Sequence, residues 1–262
     1  MLTSDTYSVL TQAKFANLIA SGKPIENAIL LVQSLETEDL TDQHFINCKI
    51  EEGSTLDSVD LRDTHWKACQ FLDCSFKNCD LRQATFENCD FYHPETRAGA
   101  NFRFSDLSNC EFSNCDLRLT HFPNAELFCV SFQSCKMSGT GFEKCDFGKV
   151  LSKRALKPRA SFLDCQLTYA NLSDLDLEEC TLTDCNLSGA NLENTILRSA
   201  NLKNSSLSDT ETDRLDLSYA DLRGGQVGAL QLRSLKDYRG LIISASQQHL
   251  LLNGLGIKVD PD

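Results

Sequence analysis

The chain has 262 residues, of which 41% are hydrophobic and 24% are charged, a composition typical of a folded domain rather than a disordered chain. It contains no run of 18 apolar residues, and its N-terminus lacks the basic and apolar regions of a secretory signal. The 25 basic and 37 acidic side chains give a net charge of −12, which argues against binding to nucleic-acid phosphates. We therefore expect a soluble, cytoplasmic protein that contacts neither membranes nor nucleic acid directly.

The first 40 residues do not follow the pattern that dominates the rest of the chain. Five side chains have the spacing of a short amphipathic helix: Tyr7, Leu10, Phe15, Leu18 and Ile19. A second apolar run covers residues 28–32. We predict that residues 1–40 form an N-terminal extension with a short helix that caps the domain. The alternative role of this extension is to bind a partner of its own.

Residues 41–235 repeat with a period of five. A large apolar residue recurs at every fifth position in three runs, which begin at Leu61, Phe102 and Phe162, and a small residue such as Cys69 or Ala84 commonly lies two positions before it. Neither a helix nor a flat strand has this period. A four-sided solenoid does, with five residues on each side and about twenty in each turn. Its large residues point to the axis and stack between turns, which predicts an all-β fold with one continuous core.

The cysteines follow the same repeat. Twelve of the 13 occupy the small position, and only Cys129 does not. Many cysteines can indicate a metal or redox site, but the chain has no C-x-x-C pair, and Cys suits a small, buried filler position. The five histidines are scattered, and no catalytic or nucleotide-binding motif is present. The sequence therefore predicts a non-enzyme with no catalytic residue, no cofactor and no metal.

Two insertions interrupt the repeat, and insertions in repeat proteins form exposed loops. Loop 1 covers residues 92–99 and loop 2 covers residues 148–160. Loop 2 contains five basic residues and no acidic one, which is unusual on an acidic chain and indicates a docking element. Its predicted partner-binding residues are Lys149, Val150, Leu151, Lys153, Arg154, Leu156, Lys157 and Arg159.

Residues 236–262 form the third predicted segment. Ser244 and Gln247 have the spacing of a capping box, the apolar residues 250–252 continue as a short helix, and Asn253 and Gly254 supply a stop signal. A helix at this position covers the open rung at the end of the solenoid.

The repeat resembles that of the pentapeptide-repeat proteins, whose consensus is A-(D/N)-L-x-x. Ala190-Asn191-Leu192 and Ala220-Asp221-Leu222 match this consensus, and the resemblance covers residues 45–227. It implies the family fold, a right-handed quadrilateral β-helix.

Loop 1 and the C-terminal segment are similar to those of the Qnr-type quinolone-resistance proteins, which carry a short first loop and a longer second one. This resemblance implies a DNA-mimicking protein that binds DNA gyrase and topoisomerase IV and protects them from quinolones or a natural poison. It also implies a homodimer formed through the C-terminal segment by Leu250, Leu251, Leu252, Leu255 and Ile257. The loop 1 residues expected to contact the partner are Tyr92, His93, Pro94, Glu95, Thr96 and Arg97.

The longer N-terminus departs from the Qnr-type pattern and leaves a second function open. In that alternative, the chain is a pentapeptide-repeat scaffold or effector that docks an unrelated partner through residues 1–40 and the basic loop 2.

Overall fold

The computed structural model describes residues 7–148, 159–228 and 230–258. Within these residues the helices are α1 (Gln12–Ser21), α2 (Val32–Leu35) and α3 (Gln248–Gly254), and a 3-10 turn covers Ala245–Gln247. None of these helices has the length and hydropathy needed to cross a bilayer. The strands are short, as follows: β1 (Ser8–Val9), β2 (Ile25–Glu26), β3 (Ala28–Leu30), β4 (His44–Ile46), β5 (Lys49–Ile50), β6 (Thr55–Asp57), β7 (His65–Lys67), β8 (Ser75–Lys77), β9 (Thr85–Glu87), β10 (Tyr92–His93), β11 (Ala98–Gly99), β12 (Glu111–Ser113), β13 (Ser131–Gln133), β14 (Ser161–Leu163) and β15 (Thr181–Thr183).

Most of these strands stack into parallel ladders, with one rung for each turn of the chain. An eight-stranded sheet has the order β15-β14-β13-β12-β9-β7-β4-β2. Equivalent residues of successive turns pair directly, as Phe112 does with Phe132. Isolated parallel bridges join the other sides in the same way, for example between Asp90 and Asp116. The predicted right-handed quadrilateral β-helix is therefore confirmed.

We number the four faces of the solenoid by the order in which the chain visits them. Face 1 contains Phe112, face 2 contains Leu117, face 3 contains Phe122 and face 4 contains Leu127, and all four side chains are buried. The aromatic residues stack along the axis, with ring centroids 5.1 Å apart for Phe112 and Phe132 on face 1 and 5.0 Å apart for Phe102 and Phe122 on face 3. The large apolar residues of the repeat thus form one core that runs the length of the rod. Stacked aromatic rings contribute large apolar areas to such a core.

The corners depend on a conformation that the apolar pattern does not reveal. In most described repeats the residue two positions after the central residue has a positive φ, as in Asp63 (57°), Asn78 (54°) and Asn124 (57°). Asn and Asp tolerate this left-handed conformation better than most residues do. The polar residues of the repeat therefore turn the chain as well as face the solvent.

Seven cysteines occupy a single column beside face 2. The register of the neighbouring bridges aligns them one turn apart, as follows: Cys48, Cys69, Cys89, Cys115, Cys135, Cys165 and Cys185. All seven are buried and unpaired, and the backbone N–H of Cys48 donates to Sγ of Cys69 at 3.4 Å. Thiols five residues apart face different sides, whereas those a full turn apart stack.

Segments near both ends of the described chain pair with strands or turns of the solenoid, although the five-residue repeat does not extend to them. In the predicted extension of residues 1–40, β1 pairs with β3, and β2 pairs with β4. The predicted short helix is present as α1, and its Phe15 is buried against the core. In the predicted C-terminal segment of residues 236–262, Asp237 pairs with Asp216 and Ile242 pairs with Asp221 before the helix begins.

Candidate partner-binding site

Loop 1 is an antiparallel hairpin in which Tyr92 pairs with Gly99 and His93 pairs with Ala98. It leaves the solenoid after Phe91 on face 2 and returns at Phe102 on face 3. The parallel register continues past it, since Thr85 still pairs with Glu111 in the next turn. The insertion therefore projects from one corner without breaking the rod.

His93 holds this hairpin against the preceding turns. Its side chain is buried, and its Nε2 atom lies 2.8 Å from Oε1 of Glu52. Its Nδ1 atom accepts the backbone N–H groups of Glu95 and Thr96 at 3.1 and 3.2 Å. Because Nδ1 acts as the acceptor, the neutral ring carries its proton on Nε2 and donates it to Glu52. The hydroxyl of Thr96 also donates to Oδ1 of Asp73, at 2.9 Å.

Glu52, Asp73 and His93 have ligand atoms within 4.8 Å of one another, a grouping that could hold a metal ion. A metal on Nε2 would require a second lone pair on the same ring, because the Nδ1 lone pair already accepts two backbone N–H groups. Only a fully deprotonated imidazolate has a free lone pair on Nδ1 and another on Nε2. These contacts therefore favour a structural role for the cluster.

The predicted loop 1 residues divide into anchors and exposed groups. Pro94, Glu95, Thr96 and Arg97 are exposed, whereas His93 is buried. Tyr92 is half-buried, and the guanidinium of Arg118 lies 4.1 Å from the centroid of its ring. The surface that loop 1 offers to a partner is therefore the hairpin tip with the Tyr92–Arg118 pair at its base.

An exposed apolar strip continues from loop 1 along the same corner. Leu119 is 39% exposed and Tyr169 is 76% exposed, and with Tyr92 they line a shallow cavity of 260 Å³. The Tyr169 ring lies so close to Gly189 that a Cβ at that glycine would be 2.5 Å from it. The five-residue pattern does not indicate this strip, because both exposed residues lie at the corner position, outside the apolar series. A Tyr or Leu at that position is the signal that could have indicated it.

Loop 2 leaves face 4 after Phe147 and returns to face 1 at Phe162, so its ends stand at the corner opposite loop 1. Seven of its predicted residues lie outside the described residues: Lys149, Val150, Leu151, Lys153, Arg154, Leu156 and Lys157. Arg159 is described, and only 11% of its side chain is exposed. Its Nη2 atom is 3.8 Å from Glu178 and its Nε atom is 3.6 Å from Glu179. Arg159 therefore anchors the end of the loop to the next turn.

Face 4 carries a column of carboxylates that the net charge alone does not reveal. Five acidic residues pair in parallel along successive turns: Asp60, Asp80, Asp106, Glu126 and Asp146. Arg62 bridges the first two, at 2.6 Å from Asp60 and 3.5 Å from Asp80, and Arg82 bridges Asp80 and Asp106 at 2.5 and 3.7 Å. The corresponding positions in the next two turns are Ser108 and Phe128. These two arginines therefore bridge the first three acids of the column.

Two family models match this chain. A model described as pentapeptide repeats (8 copies) matches residues 54–91 and 98–128, and one described as a pentapeptide repeat region matches residues 158–232. Together they cover more than half of the sequence. The chain belongs to the pentapeptide-repeat family.

Among solved structures, this pentapeptide-repeat chain is similar to QnrB1, described as a plasmid-mediated fluoroquinolone resistance protein. Full-length QnrB1 matches with 26% identity and a TM-score of 0.74, covering 80% of this chain and 98% of QnrB1. A trypsin-treated variant of QnrB1 matches with 26% identity and a TM-score of 0.70, over 80% and 96% of the two chains. No curated protein sequence matches this chain significantly.

The C-terminal segment of this pentapeptide-repeat chain closes the solenoid as expected. Oε1 of Gln247 accepts the backbone N–H of Ser244 at 2.6 Å, and its Nε2 donates to the carbonyl of Leu222 at 2.8 Å. The sequence predicts that the helix stops at Asn253 and Gly254, but both residues belong to α3. The residue with a positive φ that follows the helix is Gly256 (79°). Of the predicted dimer residues, Leu250 and Ile257 are 40% and 49% exposed, Leu252 and Leu255 are half-buried, and Leu251 is buried within its own chain.

Proposed function

We propose that this chain binds the type II topoisomerases DNA gyrase and topoisomerase IV in the cytoplasm and protects them from quinolones or a natural topoisomerase poison. The observation that carries the proposal is the likeness to QnrB1 over 98% of that chain. Protection of this kind requires binding and no catalysis, which suits a solenoid without a catalytic motif. The proposed contact residues are those of loop 1 and loop 2.

The carboxylate column supports DNA mimicry. Successive turns of a β-helix rise by about 4.8 Å, the spacing of neighbouring strands, so the acids from Asp60 to Asp146 form a straight row of charges. One strand of duplex DNA carries a phosphate about every 3.4 Å. A rigid acidic rod with a comparable charge spacing suits a basic groove that otherwise holds DNA.

The positions of the two loops add support. They leave the solenoid at opposite corners, so a partner that encloses the rod would meet both loops at once. Loop 2 is basic and would be repelled by a DNA-binding lining, which favours its contact with an acidic or metal-bearing part of the enzyme. Loop 1 presents a stiff hairpin tip, because His93 and Thr96 hold it to earlier turns.

The test is a gyrase supercoiling assay inhibited by ciprofloxacin, with the full-length protein titrated in. We expect rescue by the full chain and loss of rescue in a variant that lacks Lys149–Arg159. A variant with Glu26→Gln and Glu36→Gln, two exposed acids outside both loops, is a control that should still rescue. If the full chain neither rescues nor inhibits gyrase with ciprofloxacin or with an albicidin-like poison, the proposal fails.

Dimerisation through the C-terminal segment is part of the proposal. The exposed side chains of Leu250 and Ile257 support it, since a row of exposed apolar residues at the end of a rod is suited to a two-fold contact. Sedimentation should give a mass near twice 29.2 kDa, and Leu250→Asp with Ile257→Asp should give the monomer mass. A monomer at all concentrations would contradict this part.

The alternative function, a scaffold or effector that docks an unrelated partner through residues 1–40 and loop 2, has less support. Strands β1, β2 and β3 pair with the solenoid rather than project from it. Deletion of residues 1–40 separates the two functions, because the alternative requires these residues for partner binding.

A further inference from the structure

A cleft interrupts the solenoid on face 3 near its C-terminal end. Its volume is 500 Å³, and its lining includes Leu207, Leu230 and the carboxylates of Glu193, Asp209, Glu211 and Asp213. Thr210 and Thr212 occupy the positions that hold buried Ala190 and Leu192 one turn earlier, yet both are half-buried. The core therefore opens to solvent at this turn.

The cleft follows from one additional residue in the last turn. Ser206 pairs with Gln226, twenty residues later, whereas Asp216 pairs with Asp237 and Asp221 with Ile242, twenty-one residues later. The additional residue therefore enters between Gln226 and Asp237, on face 3. Like a β-bulge, it moves the chain away from the preceding rung.

The bulge leaves two backbone groups of the preceding rung without a backbone partner among the described residues. Leu172 and Leu192 donate their N–H groups to the next turn at 2.9 and 2.8 Å, and the carbonyl of Ala190 accepts the N–H of Glu211 at 3.0 Å. The equivalent N–H of Thr212 and carbonyl of Thr210 have no backbone partner in the described part of the chain. An edge of this kind is a template for an additional strand.

We propose that this cleft binds an extended, lysine- or arginine-bearing segment of a partner protein by strand addition. Such a segment would accept from the Thr212 N–H and donate to the Thr210 carbonyl, as the next turn does elsewhere. Its alternate side chains would face Leu207 and Leu230 on one side and the four carboxylates on the other. None of those carboxylates has a cation within 4.0 Å among the described residues, so their charge is available to a basic segment. This site does not depend on the topoisomerase proposal.

The probe is a fluorescein-labelled octapeptide of alternating Lys and Val, measured by fluorescence anisotropy with the full chain and no topoisomerase. The Glu211→Gln, Asp213→Asn variant should bind it at least tenfold more weakly, while the Glu26→Gln, Glu36→Gln control with the same net charge should bind like wild type. A peptide whose lysine backbone nitrogens are methylated should also bind at least tenfold more weakly, because the outward-facing residue of each rung donates its N–H to the preceding turn, as Glu211 does to Ala190. Hydrogen exchange of the Thr212 amide should slow when the unmodified peptide binds.

Three results would overturn the inference. Equal weakening in the control variant would mean diffuse charge attraction. Equal binding of the N-methylated peptide would exclude strand addition. If the Thr212 amide exchanges hydrogen more slowly as the protein concentration rises without any peptide, the cleft binds a second copy of this chain.

Discussion

The Nε2 atom of His93 lies 2.8 Å from Oε1 of Glu52, a residue two turns earlier in the solenoid. Because Nδ1 of the same ring accepts two backbone N–H groups of the hairpin, one side chain determines both the shape of loop 1 and its orientation on the rod. The stiffness of the candidate partner-binding site therefore depends on a residue that is buried beneath the exposed tip of the hairpin.

Replacing His93 with Ala should loosen loop 1 without unfolding the solenoid. Loss of these hydrogen bonds costs about 1–3 kcal/mol, so tryptic cleavage at the exposed Arg97 should accelerate about tenfold. Mass spectrometry of the fragments measures this rate. Pro94→Ala is the control at the hairpin tip and should leave the rate near wild type. Equal cleavage of His93→Ala and wild type would show that the ring does not hold the loop.

Gly189→Ala should destabilise the protein by about 2 kcal/mol, because the new methyl group meets the Tyr169 ring and the position also has a φ of 71°. Gly53→Ala is a matched control, since its φ is 73° but nothing lies within 4 Å of the added Cβ. Urea denaturation should give Gly189→Ala a lower free energy of unfolding than Gly53→Ala. When the protein also carries Tyr169→Ala, Gly189→Ala and Gly53→Ala should lower the free energy of unfolding by the same amount. If Gly189→Ala still costs more, the ring contact is not the cause.

Stability should fall in acid partly through Asp221. The hydrogen bond from Arg223 lowers the pKa of this carboxyl to about 2 from a usual value of 3.8. The folded state therefore favours the charged carboxylate. The resulting stabilisation of the fold is present above pH 3.8 and is lost as the pH falls through 2. Asp221→Asn should remove roughly 1 kcal/mol at pH 7 after allowance for solvent screening. Asp42→Asn, at an exposed corner, is the control, and equal acid sensitivity of wild type and Asp221→Asn would contradict the assignment.

Eleven of the 13 thiols are buried and should react slowly in the folded state. Burial raises the pKa of Cys74 to about 12 and that of Cys79 to about 11, which removes the reactive thiolate near neutral pH. Cys129 lies outside the small positions of the repeat and is half-buried. An aromatic disulfide reagent at pH 8 should therefore modify Cys129 first and all 13 cysteines only in denaturant. Fast modification of several thiols in the Cys129→Ser variant would show that the core is open.

The fold was predictable because its period is local. Each group of five residues specifies one side of the square, so the burial of Phe102, Phe122 and Phe142 and their stacking on one another follow from the spacing alone. The site was less predictable. The break in the repeat indicates that loop 1 is an insertion, but nothing in its sequence indicates that His93 turns inward to meet Glu52.

The five-residue period in the sequence by itself determined the solenoid, the burial of the large and small positions and the places of the two insertions. Which residues share a column was decided only by the tertiary structure, because neighbours on a face are twenty to thirty residues apart and each insertion changes that separation. The carboxylate column from Asp60 to Asp146 and the cysteine column from Cys48 to Cys185 are products of this register. So is the cleft at Thr212, where a single additional residue separates two rungs that the repeat would otherwise pair.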